Sequence, residues 1–417
     1  MNYSDLKDKT AKQLTEVLKK FGVKTTKDDD KSQLIKKLLA TASEKEGYKY
    51  VSGHLDIMND KTHGVLRTDG LKEGDKDVYI SGTQIKKFGL RPGDLVCGPA
   101  RLPKENEKYL SLLRVDMVWD KDPMEMIKRI QFNRSVPIHP DRQMKLETES
   151  DILSTRMIDL LSPIGYGQRG LIVSPPKAGK TWLLIDIANG VTENNKDVEL
   201  MVVLVGERPE EVTEIQRRVK GEVFASNFDE RPEDNCKVAE LALEKAKRKV
   251  EMGGNVVILM DSVTRLARAY NITMPTSGRT LSGGFDPVAL FPPKRFFGAA
   301  RNIEDDGSLT IIATALIDTG SRMDDLVYEE FKGTGNMELH LDRALAESRV
   351  YPSIDVVRSG TRHEELLLDK EVLNQSWRVR RMLEAIPNDM KPTQVLVERL
   401  KKTKNNAEFL ATLHESV

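Results

Sequence analysis

The sequence of 417 residues has little cysteine, few aromatic residues and no long apolar runs. Its two cysteines, Cys97 and Cys236, lie far apart and form no CxxC pair, which favours neither a disulfide framework nor a thiolate metal site. No stretch reaches the ~18 uninterrupted apolar residues of a membrane helix, and the polar N-terminus lacks the apolar run of a signal peptide. We therefore expect a cytoplasmic protein without a membrane partner.

Net charge is also missing, because 65 Lys and Arg residues balance 65 Asp and Glu residues. This balance excludes a uniformly basic coat for non-specific nucleic-acid binding as the whole function. A hydrophobic fraction of 39% is still enough for two or three ordinary domains, each with a core. Any binding of a polyanion must therefore depend on local groups of cations.

The pattern along the chain predicts four segments. Residues 1–47 carry apolar side chains at helical spacing and predict a helical module. Residues 48–118 hold five short strand-like runs broken by Gly, Pro and Asp, which predicts a small β-barrel. Residues 119–150 lack periodicity and are predicted to be a connector. Residues 151–417 alternate apolar strands with helical stretches, which predicts a mostly parallel sheet covered by helices. Its predicted strands are 171–173, 201–206, 256–261, 309–318 and 337–341.

A phosphate-binding loop follows the first of these strands. The segment Ser174–Thr181 reads SPPKAGKT and leads into a helical run, Trp182–Asn189, which Gly190 is predicted to end. In such a loop backbone N–H groups surround the phosphates, the lysine meets the terminal phosphates and the hydroxyl ligates Mg²⁺. Lys180 and Thr181 are the residues in these positions.

Two further strands bring carboxylates to the same edge of the sheet. The strand 256–261 ends in Asp261, a position beside the Mg²⁺, although a helix cap is the alternative role. The preceding strand leads to Glu207, which can orient or deprotonate the attacking water. Glu210 and Glu211 are the alternatives for this base, but acids are common there because they suit the helix dipole.

Hydrolysis also needs positive charge on its transition state, which many ATPases receive from a neighbouring subunit. The candidate segments are RVYPSID (349–355) and RSGTR (358–362). Spacing alone does not choose between their arginines, and a surface salt bridge is the ordinary role of any one of them.

Several segments together resemble the Rho family of transcription termination factors. They are GQRGLIVSPPKAGKT (167–181), GERPEEVTEIQR (206–217), DSVTRLARAYN (261–271), PKRFFGAARN (293–302), TALIDTGSRMDDLVYEEFKGTGNMELHL (314–341) and RSGTRHEELL (358–367). The resemblance covers essentially the whole chain. It implies an α/β RecA-like P-loop ATPase core with an N-terminal helical module and an OB/cold-shock-like barrel.

The resemblance also implies an activity and partners. The chain would be an ATP hydrolase that uses ATP and Mg²⁺ and depends on single-stranded RNA. As a homohexameric ring it would move 5′ to 3′ along nascent RNA and dislodge RNA polymerase, with elongation factors as further partners.

Roles for residues of the ATPase domain follow from the resemblance. Arg208 would support the sheet edge at Glu207, Arg362 matches a trans-acting arginine finger, and Arg349 matches a second basic residue at the subunit junction. Tyr351 matches an aromatic that stacks on adenine, with a core tyrosine as the alternative. The implied nucleotide-binding residues are Lys177, Ala178, Gly179, Lys180, Thr181, Trp182 and Tyr351.

RNA contacts are implied in two places. Two Gly-rich segments, 279–285 and 319–335, resemble channel loops that grip RNA, because glycines permit mobility and a cation at the tip can follow phosphates. Their implied contacts are Arg279, Gly283, Gly284, Arg322 and Lys332. The implied contacts of the barrel are His63, Arg67, Tyr79, Lys86, Lys87, Phe88, Lys108 and Tyr109.

The chain departs from the family at residues that bear on function. The triplet 63–65 reads HGV where the family has two aromatics flanking a glycine, so we expect primary RNA loading to be weakened or altered in preference. Ser174 replaces an Ala, and Arg322 replaces a Lys. Gly206 replaces an acid next to Glu207, and the lost charge can alter the hydrolysis rate or its coupling to RNA.

Two other functions stay open. One is a related ring ATPase that acts on DNA or on a protein axle, against which the barrel and the segment 293–302 argue. The other is a nucleotide-regulated RNA-binding ring that regulates transcription with slow turnover. Gly206 and the poor aromatic patch of the barrel favour this second alternative.

Overall fold

The computed structural model describes residues 3–26, 29–58, 60, 62–387 and 391–413. The chain divides into two compact units, Met1–Asn133 with Leu241–Arg248, and Arg134–Glu240 with Lys249–Val417. Within the described ranges, no helix has the length and apolar character needed to cross a membrane.

The first unit begins with two helices, α1 (Ala11–Lys20) and α2 (Lys31–Lys45). Each starts at a capping box. The side chain of Thr10 or Asp30 accepts a hydrogen bond from the backbone N–H three residues on, and the glutamine at that later position accepts one from the backbone N–H of Thr10 or Asp30. Apolar residues at three- and four-residue spacing then close the two helices on each other. The buried residues are Leu14, Leu18, Leu34, Ile35, Leu38 and Leu39. The predicted helical module is present.

Six strands follow and form a small barrel. They are β1 (Lys49–Ile57), β2 (His63–Arg67), β3 (Val78–Ser81), β4 (Leu95–Arg101), β5 (Leu110–Leu112) and β6 (Met117–Val118). Helix α3 (Gly82–Lys87) follows β3, and α4 (Pro123–Met126) follows β6. The strand order is β1-β2-β3-β5-β4-β6, and an additional pairing of β1 with β4 closes the sheet on itself. One predicted strand is divided here into β5 and β6.

The second unit is a nine-stranded sheet flanked by helices. Its strands are β7 (Pro137–Ile138), β8 (Arg169–Ser174), β9 (Val198–Glu207), β10 (Glu222–Asn227), β11 (Asn255–Asp261), β12 (Arg301–Ile303), β13 (Ser308–Leu316), β14 (Met337–His340) and β15 (Gly360–Thr361). The helices are α5 (Leu153–Leu161), α6 (Lys180–Asn194), α7 (Pro209–Arg218), α8 (Pro232–Val250), α9 (Val263–Thr273), α10 (Phe291–Phe297), α11 (Arg322–Lys332), α12 (Arg343–Glu347), α13 (Lys370–Glu384), α14 (Pro392–Leu400) and α15 (Asn406–Thr412). Residues Leu241–Arg248 of α8 belong to the first unit.

The central strands of this sheet run parallel, in the order β10-β9-β11-β13-β8-β14. Five of them, β8, β9, β11, β13 and β14, are mostly buried on both faces, so they read as apolar runs, and the predicted strands coincide with them. The edge strand β10, in which buried and more exposed residues alternate, and the short antiparallel strands β7, β12 and β15 carry no such run and were not predicted. The carboxyl ends of β8, β9 and β11 meet at one edge, which positions the candidate site.

Gly190 does not end a helix, and this prediction was wrong. Helix α6 continues to Asn194 with Gly190 buried in its interior. A Cβ atom at Gly190 would lie 2.5 Å from the backbone oxygen of Leu146. The glycine is therefore needed for the close approach of a neighbouring segment and not for termination.

Arg156, in α5, is a fully buried cation. Its guanidinium donates to the carbonyl oxygens of Leu400 and Thr403 at 3.0 and 2.9 Å, and its Nε lies 3.5 Å from a carboxylate oxygen of Glu147. Asn406 donates back to the Arg156 carbonyl at 2.9 Å. Burial lowers the pKa of this arginine, while the Glu147 charge opposes the shift. These bonds attach the last two helices to α5.

Candidate active site and RNA-contacting surfaces

The phosphate-binding loop lies between β8 and α6, as the sequence predicted. Lys177 and Gly179 have positive φ angles of 65° and 89°, which fold the loop tightly before the helix starts at Lys180. The Ser353 hydroxyl donates to the Ala178 carbonyl at 2.5 Å and holds the loop from below. The backbone N–H groups at the start of α6 therefore form the kind of cradle that binds phosphates.

A buried charge cluster lies beside this loop. The Lys180 ammonium is 2.5 Å from a carboxylate oxygen of Asp261 and 3.3 Å from one of Glu207. The Thr314 hydroxyl donates to the same Asp261 oxygen at 2.7 Å. The side chains of Glu207 and Asp261 are 3% and 1% exposed, so both carboxylates act in a medium of low polarity.

The environment shifts two pKa values in this cluster. Burial disfavours charge on Lys180, but Asp261 and Glu207 outweigh that effect and raise the pKa of the ammonium. Burial, and then the negative charge of Asp261, raise the pKa of Glu207. A carboxylate with a raised pKa is a stronger base, which suits activation of a water molecule.

Arg265, in the first turn of α9, orients Glu207. Its Nε lies 3.2 Å from a Glu207 carboxylate oxygen, and its guanidinium also donates to the backbone carbonyl of Gly206. Gly206 has a φ of 66°, and a Cβ there would lie 3.3 Å from the Arg265 side chain. Arg265 was not among the residues predicted from the sequence. The available signal was its place four residues after Asp261, one helical turn into α9.

The other predicted nucleotide-site residues surround the loop. Tyr351 is 47% exposed, and its ring lies 3.8 Å from the position of a Cβ on Gly179. Trp182 is exposed and carries the Arg218 guanidinium 4.3 Å above its ring. The Thr181 hydroxyl is 3.5 Å from Glu211. Open aromatic surface is thus available next to the phosphate cradle.

The three remaining arginines of the predicted site are exposed. Arg208 precedes α7, Arg349 lies two residues before Tyr351, and Arg362 follows β15. Within the part of the chain that the structure describes, none of the three forms an ion pair, and none contacts Lys180, Glu207 or Asp261 through a hydrogen bond. Their guanidinium groups are therefore available to a ligand or a partner.

The two predicted channel loops contact each other. A Cβ on Gly283, whose φ is 73°, would lie 2.6 Å from the backbone nitrogen of Met323. The second loop is anchored by Asp324, which accepts from the Arg268 guanidinium at 2.8 and 2.6 Å and from the Thr319 hydroxyl at 2.6 Å. Arg268 belongs to α9, the helix that also carries Arg265. One helix therefore contacts both the loop and the candidate base.

The cations of these loops point away from the core. Arg279 and Arg322 are exposed, as are Gly283 and Gly284. Lys332 is exposed at the end of α11, with its ammonium 5.6 Å from the Tyr328 ring centroid. The structure thus brings most of the predicted channel contacts to one pair of loops.

On the barrel, His63 and Tyr79 form a stacked pair with ring centroids 5.5 Å apart and an interplanar angle of 29°. Val65 lies opposite Tyr79 in the pairing of β2 with β3 and is 4% exposed. His63 and Tyr79 therefore present one aromatic surface, and Val65 adds no second ring.

The predicted cations of the barrel differ in whether they already have partners within the protein. Arg67 is buried and donates to the carboxylates of Asp56 and Asp77, each at 2.6 Å, so the fold itself uses this guanidinium. Lys108 and Tyr109 share Glu73, at 3.4 and 3.0 Å. The ammonium of Lys87 lies 5.1 Å from the Phe88 ring centroid, and Lys86 is exposed.

Comparison with known proteins identifies the family of this chain. Residues 51–124 match the Rho termination factor, RNA-binding domain, and residues 154–361 match the ATP synthase alpha/beta family, nucleotide-binding domain. Transcription termination factor Rho of Bacillus subtilis is 52% identical over 415 residues, which cover 100% of this chain and 96% of that protein. This chain belongs to the Rho family.

Other relatives agree with that membership. Transcription termination factor Rho of Aquifex aeolicus is 50% identical, covering 98% of this chain and 95% of its own. A type III secretion system ATPase of known structure has a TM-score of 0.55 at 23% identity, covering 67% of this chain and 86% of its own. The structure of the assembled ATPase EscN has a TM-score of 0.54 at 22% identity, and the match covers 67% of this chain and 72% of that one. These structural likenesses concern the fold. This Rho-family chain is thus an ATP-hydrolysing P-loop enzyme with an RNA-binding domain.

The missing aromatic of this Rho-family barrel leads to a binding prediction. We expect the full chain carrying His63→Phe and Val65→Phe to bind a short oligocytidine at least about fivefold more tightly, because each base gains roughly 1–3 kcal/mol on an aromatic surface. Fluorescence anisotropy of a labelled RNA measures the change, and thermal melting checks that the barrel accommodates a ring at the nearly buried position 65. Leu102→Phe, which adds a ring at an exposed barrel position, is the control. An equal gain in the control, or none in the double variant, would contradict the prediction.

Proposed function

We propose that this chain is an RNA-dependent ATPase that moves 5′ to 3′ along single-stranded RNA and ends transcription by acting on nascent RNA and RNA polymerase. One observation carries the proposal: helix α9 contacts the buried base Glu207 through Arg265 and the second channel loop through Arg268. A single rigid element thereby connects the hydrolytic site to the surface that would hold RNA. The RNA-binding domain at residues 51–124 supports the same substrate.

Hydrolysis would use the buried cluster in definite roles. Lys177 and Lys180, with the backbone of residues 178–181, bind the phosphates of ATP, and Glu207 takes a proton from the attacking water. In the structure the Lys180 ammonium forms ion pairs with both Asp261 and Glu207. When this ammonium binds the phosphates instead, Glu207 is held chiefly by Arg265. The nucleotide thus changes the charge balance around the base.

The residues present suit Mg²⁺ as a cofactor. A hydroxyl, on Thr181, and a buried carboxylate, on Asp261, are the oxygen ligands that this ion prefers, and it takes the rest of its shell from phosphates and water. Among the residues described, no group of three or more His, Cys, Asp or Glu side chains could hold a metal, which is compatible with an ion carried by the nucleotide. When bound, Mg²⁺ would neutralise charge on the phosphates.

We also propose a homohexameric ring. Arg362 and Arg349 are exposed and form no salt bridge within the described chain, as suits arginines that reach a neighbouring subunit's nucleotide. Arg208 is exposed at the same sheet edge as Glu207 and would steady it. Tyr351, open beside the loop, would stack on adenine.

RNA would be held at two places with different tasks. The barrel surface around His63, Tyr79 and Phe88 would load the strand, with Lys86, Lys87, Lys108 and Tyr109 near it. The paired loops bearing Arg279, Arg322 and Lys332 would follow the phosphates during movement. RNA polymerase, and elongation factors with it, would be partners of the loaded ring.

A second candidate is a nucleotide-regulated RNA-binding ring with slow turnover. Its supporting observation is Gly206, whose backbone carbonyl accepts from Arg265 but which has no acidic side chain to add a charge that holds the guanidinium. A less firmly held Arg265 would position Glu207 less well and slow hydrolysis.

Turnover with and without RNA tests the proposal. ATP hydrolysis by the full chain should rise strongly with poly(C) RNA, and run-off transcription with purified polymerase should yield shortened transcripts that require ATP. Hydrolysis indifferent to RNA would overturn the motor. Shortened transcripts with very slow hydrolysis would favour the second candidate.

A further inference from the structure

A cleft of about 310 Å³ lies beside the predicted arginine finger. We call it the arginine cleft, because Arg358, Arg362 and Arg380 line it together with Glu338 and Glu364. A volume of this size is at the lower end of small-molecule sites. Its charged lining therefore points to a small anion.

Both acids of the arginine cleft already have partners. A carboxylate oxygen of Glu338 lies 3.0 Å from Nε2 of His340, and this contact, despite burial, lowers the pKa of Glu338. Glu364 accepts from the Trp377 indole at 2.8 Å and lies 3.9 Å from Arg380. Neither carboxylate forms a salt bridge with Arg358 or Arg362, although the charge of Arg362 also contributes to the lowered pKa of Glu338.

One arginine of the cleft supports its wall, and the other two are available to bind a ligand. Arg380 donates to the carbonyl oxygens of Ser359, at 3.1 Å, and Leu161, so it supports the wall of the cleft. The side chains of Arg358 and Arg362 are exposed and make no hydrogen bond or ion pair with any residue in the described ranges. Two guanidinium groups therefore enter the cleft with their donors unused.

The backbone fixes the two available arginines relative to each other. Asp355 accepts from the backbone N–H of Arg358 at 3.0 Å, and the Ser359 hydroxyl donates to the Asp355 carbonyl at 2.6 Å. Between the arginines, β15 pairs with β14, and the Arg362 N–H donates to the Asn336 carbonyl at 2.8 Å. The two side chains thus leave the ends of a short, hydrogen-bonded strand.

We propose that Arg358 acts together with the candidate arginine finger, Arg362, and binds the same phosphoryl group in the arginine cleft. Paired guanidinium forks match the oxygens of a phosphate, and unpaired arginines bind it without first breaking an ion pair. The phosphoryl group comes either from a nucleotide held by a second copy of this chain or from free inorganic phosphate. The first source relies on the proposed function, whereas the phosphate chemistry relies on the cleft alone.

Arg358→Gln in the full chain tests the proposal, with Arg378→Gln as the matched control because Arg378 is an exposed arginine outside the cleft. We measure RNA-stimulated kcat and KM, inhibition by inorganic phosphate, and RNA affinity. Thermal melting checks folding, and Arg358→Lys, which keeps the charge but loses the fork, should fall between wild type and Arg358→Gln.

The two sources predict different results. For a nucleotide on a second copy, Arg358→Gln lowers kcat roughly ten- to a hundredfold. Mixing it with Glu207→Gln subunits then restores activity above the sum of the separate proteins, because some sites combine an intact base with an intact cleft. For free phosphate, kcat stays near wild type and the inhibition constant of phosphate rises roughly tenfold or more.

Two outcomes would overturn the inference. One is that Arg358→Gln matches Arg378→Gln in both kcat and phosphate inhibition. The other is that it loses RNA affinity alone, which would make Arg358 an RNA contact. If wild-type protein hydrolyses no ATP, the proposed function fails, and calorimetric binding of inorganic phosphate to wild type and Arg358→Gln still decides whether the cleft binds phosphate.

Discussion

Glu207→Gln is expected to lower RNA-stimulated ATP hydrolysis by about 10²–10⁴-fold while nucleotide binding persists. The amide keeps the size of the side chain but cannot accept a proton from water. Lys180 and the loop backbone, which bind phosphates, are unchanged, and Asp261 still balances the lysine charge. Steady-state hydrolysis and binding of a fluorescent ATP analogue separate the two effects.

The neighbouring acid supplies the control for this variant. Glu210 is exposed in the first turn of α7, so Glu210→Gln should retain nearly full activity. Because burial and the Asp261 charge raise the pKa of Glu207, wild-type activity should fall with acidification at a higher pH than an ordinary carboxyl would give. Nearly full activity in Glu207→Gln, with loss in Glu210→Gln, would move the base to α7.

Gly283→Ala is expected to reduce the stimulation of hydrolysis by RNA about 10²-fold while unstimulated hydrolysis persists. The new Cβ would lie 2.6 Å from the Met323 backbone, so one loop must move away from the other. Displacements near 1 Å cost about 10²-fold where positioning matters. Hydrolysis rates measured across an RNA titration test this expectation.

The adjacent glycine distinguishes an effect of backbone strain from an effect of the contact between the two loops. Gly284 has a φ of 79°, close to the 73° of Gly283, but a Cβ on Gly284 meets nothing within 4 Å. Gly284→Ala therefore carries a similar backbone cost without displacing the second loop. If both variants lose stimulation equally, the contact between the loops is not what couples RNA to hydrolysis.

The sequence was sufficient to predict how Lys180, Glu207 and Asp261 come together. Each follows an apolar run long enough to identify a buried parallel strand, and such strands end at one edge of their sheet. The strand pattern of residues 48–118 predicted the barrel, the resemblance to the Rho family supplied the candidate arginine finger, and the comparisons confirm that family.

Other parts of the site could not be predicted from local patterns. Arg265 lies in a helix where an arginine is ordinary, and only the folded chain brings it to Glu207. The contact of Gly283 with Met323 joins residues forty positions apart, and neither segment has a pattern that indicates it. Gly190 shows the same limit, because its close neighbour, Leu146, is equally remote in sequence.

The buried guanidinium of Arg156 has a consequence for how the ATPase domain unfolds. Most of its donors bond to oxygens of residues 400–406, at the ends of the last two helices, so separating those helices would leave the cation with only the Ser150 carbonyl and the Glu147 carboxylate beside it. Removing partners from a buried charge typically costs about 3–5 kcal/mol. The C-terminal helices should therefore resist local fraying and exchange their amide hydrogens only when they separate from α5, as one cooperative unit with that helix.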